Sequence, residues 1–518
     1  MSLRTGPVRF AFAAAAASLV LLLSGCFSIP GGGGPTSSPT AEDVDPELAR
    51  YYGQTLAWSD CGNGMECATA TAPLDWSNPS PETDIELAVV RQPATGDPGQ
   101  RLGSLFTNPG GPGASGADFV YDSVDFATSE DLQEAFDIVG WDPRGVGRSS
   151  AVSCYDDPAD LDEFIYGLPE APRGTDAWVA EITQASIDFA QACLDHSGEL
   201  LQFIDTQSTV HDLDMLRAVV GDEKLNYLGY SYGSDIGSYY IENFPDKVGR
   251  VVVDGATDSS ISVFEVGLTQ TRGFQRALEN YLTACPTMFD DCPFTGNLTA
   301  DLATIRGLYD RYDAQPVAAP DGRMMDAGVL DIAMSMALYS QDSWQFLNDL
   351  FFEAMEGETS TAFWLADYYY SRDLDGTYVD NSLEAFIAIY CVDYPVETDP
   401  AVLAEQERLL EQASPTTYRP SPPIGDTTCI NWPYQYQGPP ITALTGAGAP
   451  PVLVISTTGD PATPYEWGVA LADQLESAVL VTFTGEGHTA YGQGNACIVS
   501  TVDRYFLEGV VPESDPNC

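Results

Sequence analysis

Gly229-Tyr230-Ser231-Tyr232-Gly233 places a serine between small residues, after the short apolar run Leu225 to Leu228 and before a predicted helix, Ser234 to Asn243. A strand–turn–helix of this kind forces the serine into a strained backbone and lifts its hydroxyl clear of the sheet. A serine hydroxyl is a weak nucleophile and needs a base, usually a histidine oriented by a carboxylate. In this setting the acid and then the base follow the nucleophile in the chain. The chain has three histidines, and only His488 follows Ser231. It sits in Thr484-Gly485-Glu486-Gly487-His488-Thr489, a Gly-flanked loop after the last apolar strand. His211 opens a predicted helix and His196 lies near Cys193, so both are read as structural. Two aspartates qualify as the acid. Asp460, in Gly459-Asp460-Pro461-Ala462-Thr463-Pro464, is preferred over Asp254, which ends the strand after Ser231. An aspartate after a strand is also a common turn residue. The developing oxyanion needs two N–H donors. The amide of Tyr232 and that of Gly111, in Asn108-Pro109-Gly110-Gly111-Pro112-Gly113, are the expected pair. Together these groups describe acyl transfer: attack by Ser231, an acyl-enzyme, then hydrolysis.

The elements that must hold them follow from pattern. Strands are expected at Ile85 to Val90, Gly103 to Thr107, Phe136 to Trp141, Leu225 to Tyr230, Val248 to Val253, Val452 to Ser456 and Ala478 to Phe483. Thr209 to Gly221 carries Val210, Leu213, Leu216, Val219 and Val220 on one helical face, and Ile498 to Leu507 reads as a closing helix. Strands alternating with helices give an α/β class: a mostly parallel sheet covered on both faces. Trp58 to Trp76 is read as loop-rich. From Asp258 to about Gln437 the pattern is helical and aromatic, with Trp344, Phe346, Phe351, Phe352, Phe363, Trp364, Tyr368, Tyr369 and Tyr370. This stretch is read as an inserted cap, with most of those rings as its core.

A content of 44% hydrophobic residues over 518 positions supports a large globular core. The balance of 76 acidic to 21 basic residues, net −55, argues against nucleic-acid binding, since phosphates would be repelled. Arg4 and Arg9 precede the apolar run Phe10 to Leu23, too short for a comfortable membrane span and typical of a signal peptide. Leu23-Ser24-Gly25-Cys26 resembles a bacterial lipobox, which marks Cys26 for lipidation. The Gly- and Pro-rich stretch after it has the composition of a flexible tether. Ten further cysteines in an exported chain suggest five disulfides. Chain order suggests Cys61–Cys67, Cys154–Cys193, Cys285–Cys292, Cys391–Cys429 and Cys497–Cys518. Few histidines and no close pair of C-x-x-C units argue against a metal site, and no cofactor is implied. The division expected is signal peptide 1–26, tether 27–50, core 51–257, cap 258–440 and core 441–518.

As a set, these motifs resemble the secreted bacterial tripeptidyl-aminopeptidase/proline-iminopeptidase-like α/β-hydrolases, a family that includes envelope lipoprotein serine hydrolases. The matching residues are Asn108 to Gly113, Trp141-Asp142-Pro143-Arg144-Gly145, Gly229 to Gly233, Val253-Asp254-Gly255, Cys391-Val392-Asp393, Cys429-Ile430-Asn431-Trp432-Pro433, Gly459-Asp460-Pro461 with Thr463-Pro464, and Gly487-His488. The resemblance implies an α/β-hydrolase fold, Ser231, Asp460 and His488 as the triad, and a helical cap. It also implies a peptide substrate, often cut near a free N-terminus. Proline-specific members carry His-Gly-Gly-Pro-Gly where this chain has Pro109 for the His, which leaves proline preference open. An ammonium would need a carboxylate, and Asp342, Glu353, Glu356, Asp367 and Asp393 are candidates. A carboxylesterase using the same triad and a non-catalytic envelope binding protein are the alternatives.

Overall fold

The computed structural model describes residues 35–438 and 442–518. The expected signal peptide, Cys26 and residues 27–34 lie outside the described residues. Runs rich in Val, Ile, Leu and aromatics, bounded by Gly, Pro and Asp, form the strands. They are β1 (Ser59–Gly62), β2 (Met65–Ala72), β3 (Ile85–Gln92), β4 (Ser104–Asn108), β5 (Asp137–Trp141), β6 (Leu225–Tyr230), β7 (Val248–Asp254), β8 (Val317–Ala318), β9 (Met324–Met325), β10 (Val452–Gly459) and β11 (Ala478–Glu486). Nine of them make one sheet, ordered β1-β2-β3-β5-β4-β6-β7-β10-β11, while β8 and β9 pair separately. From β5 to β11 every neighbour is parallel, and β1, β2 and β3 join antiparallel at one edge.

Both faces are covered, as β4 and β5, buried at every position, require. One face packs Val210, Leu213 and Leu216 of helix Thr206–Val220 and Ile236 and Tyr240 of helix Gly233–Asn243. The other packs Ala117 and Val120 of helix Gly116–Ala127 and Ile498, Val502 and Phe506 of helix Ala496–Glu508. This α/β-hydrolase architecture brings the ends of β4, β6, β7, β10 and β11 to one edge, where the chemistry is placed.

Between β7 and β10 the chain runs through helices Val263–Met288, Leu298–Ala314, Ala327–Leu338, Trp344–Glu356, Ser360–Tyr369, Ser382–Asp393 and Pro400–Ala413. Trp344, Phe351 and Phe363 sit in a separate core with Tyr281 and Tyr309, and Phe346 and Tyr370 pack against it. Phe352, Trp364, Tyr368 and Tyr369 are exposed.

Two expectations are corrected. The stretch Trp58 to Trp76 is not loop-rich: it holds the β1–β2 hairpin, turned by Gly62, Asn63 and Gly64 at positive φ and bridged by Cys61–Cys67. The described part of the tether is docked. The Trp58 N–H donates to Pro35 O and the Ser37 N–H to Leu56 O, both at 3.0 Å, and Glu42 meets Arg217 at 3.0 Å. Composition announces flexibility but does not register backbone pairing to a distant edge. The five disulfides join the pairs expected from chain order.

Candidate active site

Ser231 follows β6 directly and has φ 54, the left-handed strain its turn demands. Its N–H donates to Asp254 O of the neighbouring strand at 2.9 Å, and Ser234 N–H closes the turn on Ser231 O at 2.7 Å. The flanking glycines are obligatory. A Cβ on Gly229 would meet Gly233 O at 2.3 Å, and one on Gly233 would meet Asn108 O at 2.8 Å.

His488 sits just beyond β11. Its N–H donates to Tyr339 O at 2.7 Å, and its ring stands edge-on to Tyr339 at 5.4 Å. Nδ1 lies 3.0 and 2.9 Å from the two oxygens of Asp460, which directly follows β10. With Nδ1–H donated to that carboxylate, the Nε2 lone pair is left to take a proton. Asp460 is fully buried and also accepts the N–H groups of Ala462 (2.9 Å), Thr463 (2.8 Å) and Thr489 (3.1 Å) and the Thr463 hydroxyl (2.9 Å). Burial opposes a charged imidazole, but the Asp460 charge, its hydrogen bond and the nearby Asp254 charge outweigh it and hold His488 above its ordinary value.

Asp254, the competing acid, does not face the ring. Its oxygens accept the N–H groups of Ala490 (3.0 Å) and Tyr491 (2.7 Å), which follow His488 closely in the chain. Burial pushes its carboxyl up to about 6. It thus ties the serine turn, through its carbonyl, to the histidine loop, through its side chain.

The loop after β4 lies against the serine turn. Asn108 Oδ1 accepts the Gly110 N–H at 2.9 Å. Gly110 has φ +98, and a Cβ there would meet Tyr230 O at 2.6 Å, Ser231 Cβ at 2.8 Å and Tyr232 N at 2.9 Å. Among the described residues, neither the Tyr232 N–H nor the Gly111 N–H donates a hydrogen bond. Both donors are therefore open to an oxyanion.

The other histidines lie elsewhere. His211 is wedged between Trp76 (5.5 Å) and Phe244 (5.3 Å), and burial pushes it down. The His196 Nδ1–H donates to Ala192 O at 2.8 Å, and the ring faces Asp156. Among the candidate carboxylates, Asp367 is occupied by Arg323, Arg372 and Tyr166. Glu353 accepts the Thr361 N–H, and Asp342 and Glu356 point to solvent. Asp393 alone stands beside the nucleophile turn, reached through Thr206 from Tyr232. Sequence reasoning missed Thr463, whose hydroxyl bridges Asp460 and His488 Nδ1 (3.1 Å). Its place three residues after an aspartate was the available signal.

Comparison with known proteins agrees with the geometry. A family model described as alpha/beta hydrolase fold matches residues 104–304, and one described as TAP-like protein matches 421–518. The chain is 36% identical to "Serine protease Hip1" of Mycobacterium tuberculosis, covering 98% of this chain and 96% of that one. It is also 36% identical to "Carboxylesterase B" of the same species, covering 96% and 94%. It is 31% identical to "Tripeptidyl aminopeptidase" of Streptomyces lividans, covering 91% and 88%. With a strained serine directly after β6 and a carboxylate-held histidine beyond β11, this chain is a serine hydrolase and belongs to the TAP-like family of α/β-hydrolases.

Proposed function

We propose that the protein is an exported aminopeptidase that releases short peptides from a free N-terminus through an acyl-enzyme. The observation that carries the hydrolytic step is the His488–Asp460 pair, set two and three strands from Ser231 at the same sheet edge. Ser231 Oγ attacks the scissile carbonyl and passes its proton to His488 Nε2. The Tyr232 and Gly111 N–H groups take the developing oxyanion. His488 then returns the proton to the leaving amine, the C–N bond breaks, and an ester to Ser231 remains. Water, deprotonated by His488, attacks that ester and releases the peptide acid.

Residues 258–440 serve as the cap over a core made of 51–257 and 441–518. The contacts of Tyr339 with His488 and of Gly273 with Pro461 support this. Peptide is favoured over ester because two of the relatives are named as peptidases. The relative named carboxylesterase supports the second reading, ester hydrolysis by the same groups. Export and attachment through Cys26 to the outer face of the cytoplasmic membrane rest on the lipobox-like sequence and are supported by five disulfides.

The test is cleavage of a tripeptidyl-aminocoumarin with a free amine beside its N-acetylated twin. The free-amine substrate is expected to be cut far faster, and Ser231→Ala to lower kcat about a millionfold. Equal rates on the twins would replace the aminopeptidase with a general acyl hydrolase.

A further inference from the structure

The nucleophile is not alone in holding a strained backbone. Ser231 has φ 54, and Thr489, directly after His488, has φ 64. Neither is glycine, and a β-branched side chain is badly placed at positive φ. Such strain persists only where the surroundings over-determine it. One residue restrains both turns. Asp254 ends β7, in register with Tyr230 of β6 on one side and Ile455 of β10 on the other, and it is fully buried. Its carbonyl accepts the Ser231 N–H at 2.9 Å. Both oxygens of its carboxylate lie 3.0 Å from the Ala490 N, and one accepts the Tyr491 N–H at 2.7 Å. These two donors follow Thr489 directly. Gly255 then carries the backbone past the base. It has φ +66, and a Cβ there would meet Thr489 Cγ2 at 2.9 Å, Thr463 Oγ1 at 3.0 Å and His488 Cε1 at 3.2 Å.

Asp460 does not duplicate this restraint. It holds the His488 ring and the Thr489 N–H, but among the described residues its carboxylate accepts nothing from the serine turn. The link between the two strained turns therefore runs through Asp254. We propose that Asp254 is a positioning residue that must be ionised for catalysis: its carboxylate holds the turn after His488 in place against the turn of Ser231, and taking up a proton releases the histidine side. The proposal rests on Ser231 and His488 as nucleophile and base.

The chemistry follows from the donors. An ionised carboxylate accepts from two N–H groups at once, whereas a protonated one turns an oxygen into a donor that opposes one of them. With that bond lost, the strain at Thr489 can relax and His488 moves off its line to Ser231. A misplacement of about 1 Å costs about a hundredfold in rate. Burial raises the Asp254 carboxyl, and the Tyr491 and Ala490 N–H groups only partly offset it, so it stands at about 6. Of the charged groups around it, His488 favours its ionised form and Asp460 opposes it, while Tyr230 of β6 lies within its field. Because the folded chain binds this proton more tightly than the unfolded one, its uptake does not itself promote unfolding. Activity is lost from an intact fold.

The test is the rate of labelling by an uncharged fluorophosphonate across the acid range, with tryptophan fluorescence recorded on the same samples to confirm that the fold is kept. Such a probe needs Ser231 and His488 but no peptide-binding carboxylate. For the wild type, the logarithm of the rate is expected to fall with a slope of one below the His488 limb and of two below about pH 6, as two groups take up protons. Asp254→Asn places one acceptor and one donor where the carboxylate stood. It is expected to label about a hundredfold more slowly at neutral pH and to fall with a slope of one throughout. Its limb is expected at lower pH, since the Asp254 charge helps to hold His488 up. Asp235→Asn removes another carboxyl that burial lifts to about 6, and is expected to keep the slope of two. A wild-type slope of one throughout, which needs no variant to fold, would overturn the proposal, and so would a slope of two in Asp254→Asn. Labelling of Ser231→Ala at the wild-type rate would instead overturn the assignment of the nucleophile.

Discussion

His488 is held by three partners, and each has a distinct effect. The Asp460 oxygens fix its tautomer at 2.9 and 3.0 Å, the Thr463 hydroxyl braces the pair, and the Tyr339 carbonyl fixes the loop. Because the imidazole is held above its ordinary value of 6.5, it stays protonated, and useless as a base, to a higher pH than a free histidine. The kcat/KM profile is therefore expected to fall on acidification with its limb above pH 6.5. Asp460→Asn removes the charge that raises the imidazole. The limb should move to lower pH while kcat drops about ten-thousandfold. An unmoved limb would show that Asp460 is not the orienting acid. The pairing of Asp460 with His488 and the strained turn at Ser231 were legible because the chain offers one histidine after one well-placed serine. Thr463 was not, because its hydroxyl meets both Asp460 and His488 Nδ1 only once the loops after β10 and β11 are folded together.

At the scale of elements, apolar runs located every parallel strand of the sheet to within a few residues, because buried parallel strands are continuously hydrophobic. The β1–β2 hairpin was missed because β1 is short and polar, β2 is built of Ala, Thr and Glu rather than large apolar residues, and the pair leans on a disulfide and a turn at positive φ. The docked segment from Pro35 was missed because its partners, Ala57 and Ala218, are distant in sequence. The loop after β4 shows how closely the elements fit. Gly110 touches the serine turn so tightly that Gly110→Ala must move the loop, since its Cβ would lie 2.6 to 2.9 Å from Tyr230 O, Ser231 Cβ and Tyr232 N. The variant is expected to lose about a hundredfold in kcat as the oxyanion donors separate. Stopped-assay kinetics on the free tripeptidyl substrate would show it, and a kcat equal to the wild type would argue that this loop does not hold the oxyanion.

The whole molecule combines a hydrolase sheet, a helical segment with its own core, five disulfides and a net charge of −55. Such a field attracts cationic groups over a distance set by salt. Composition gave the sign of that field but not its focus, because focus depends on which carboxylates find an arginine. Among the described residues Asp367 finds two and Asp393 finds none. The most direct measurement is mass spectrometry of the products formed from an unmodified peptide several tripeptide units long, sampled through the reaction. Tripeptides should appear in order from the N-terminal end, and none should form with Ser231→Ala. Internal fragments as first products, or an intact peptide in a preparation that cleaves short esters, would contradict an aminopeptidase.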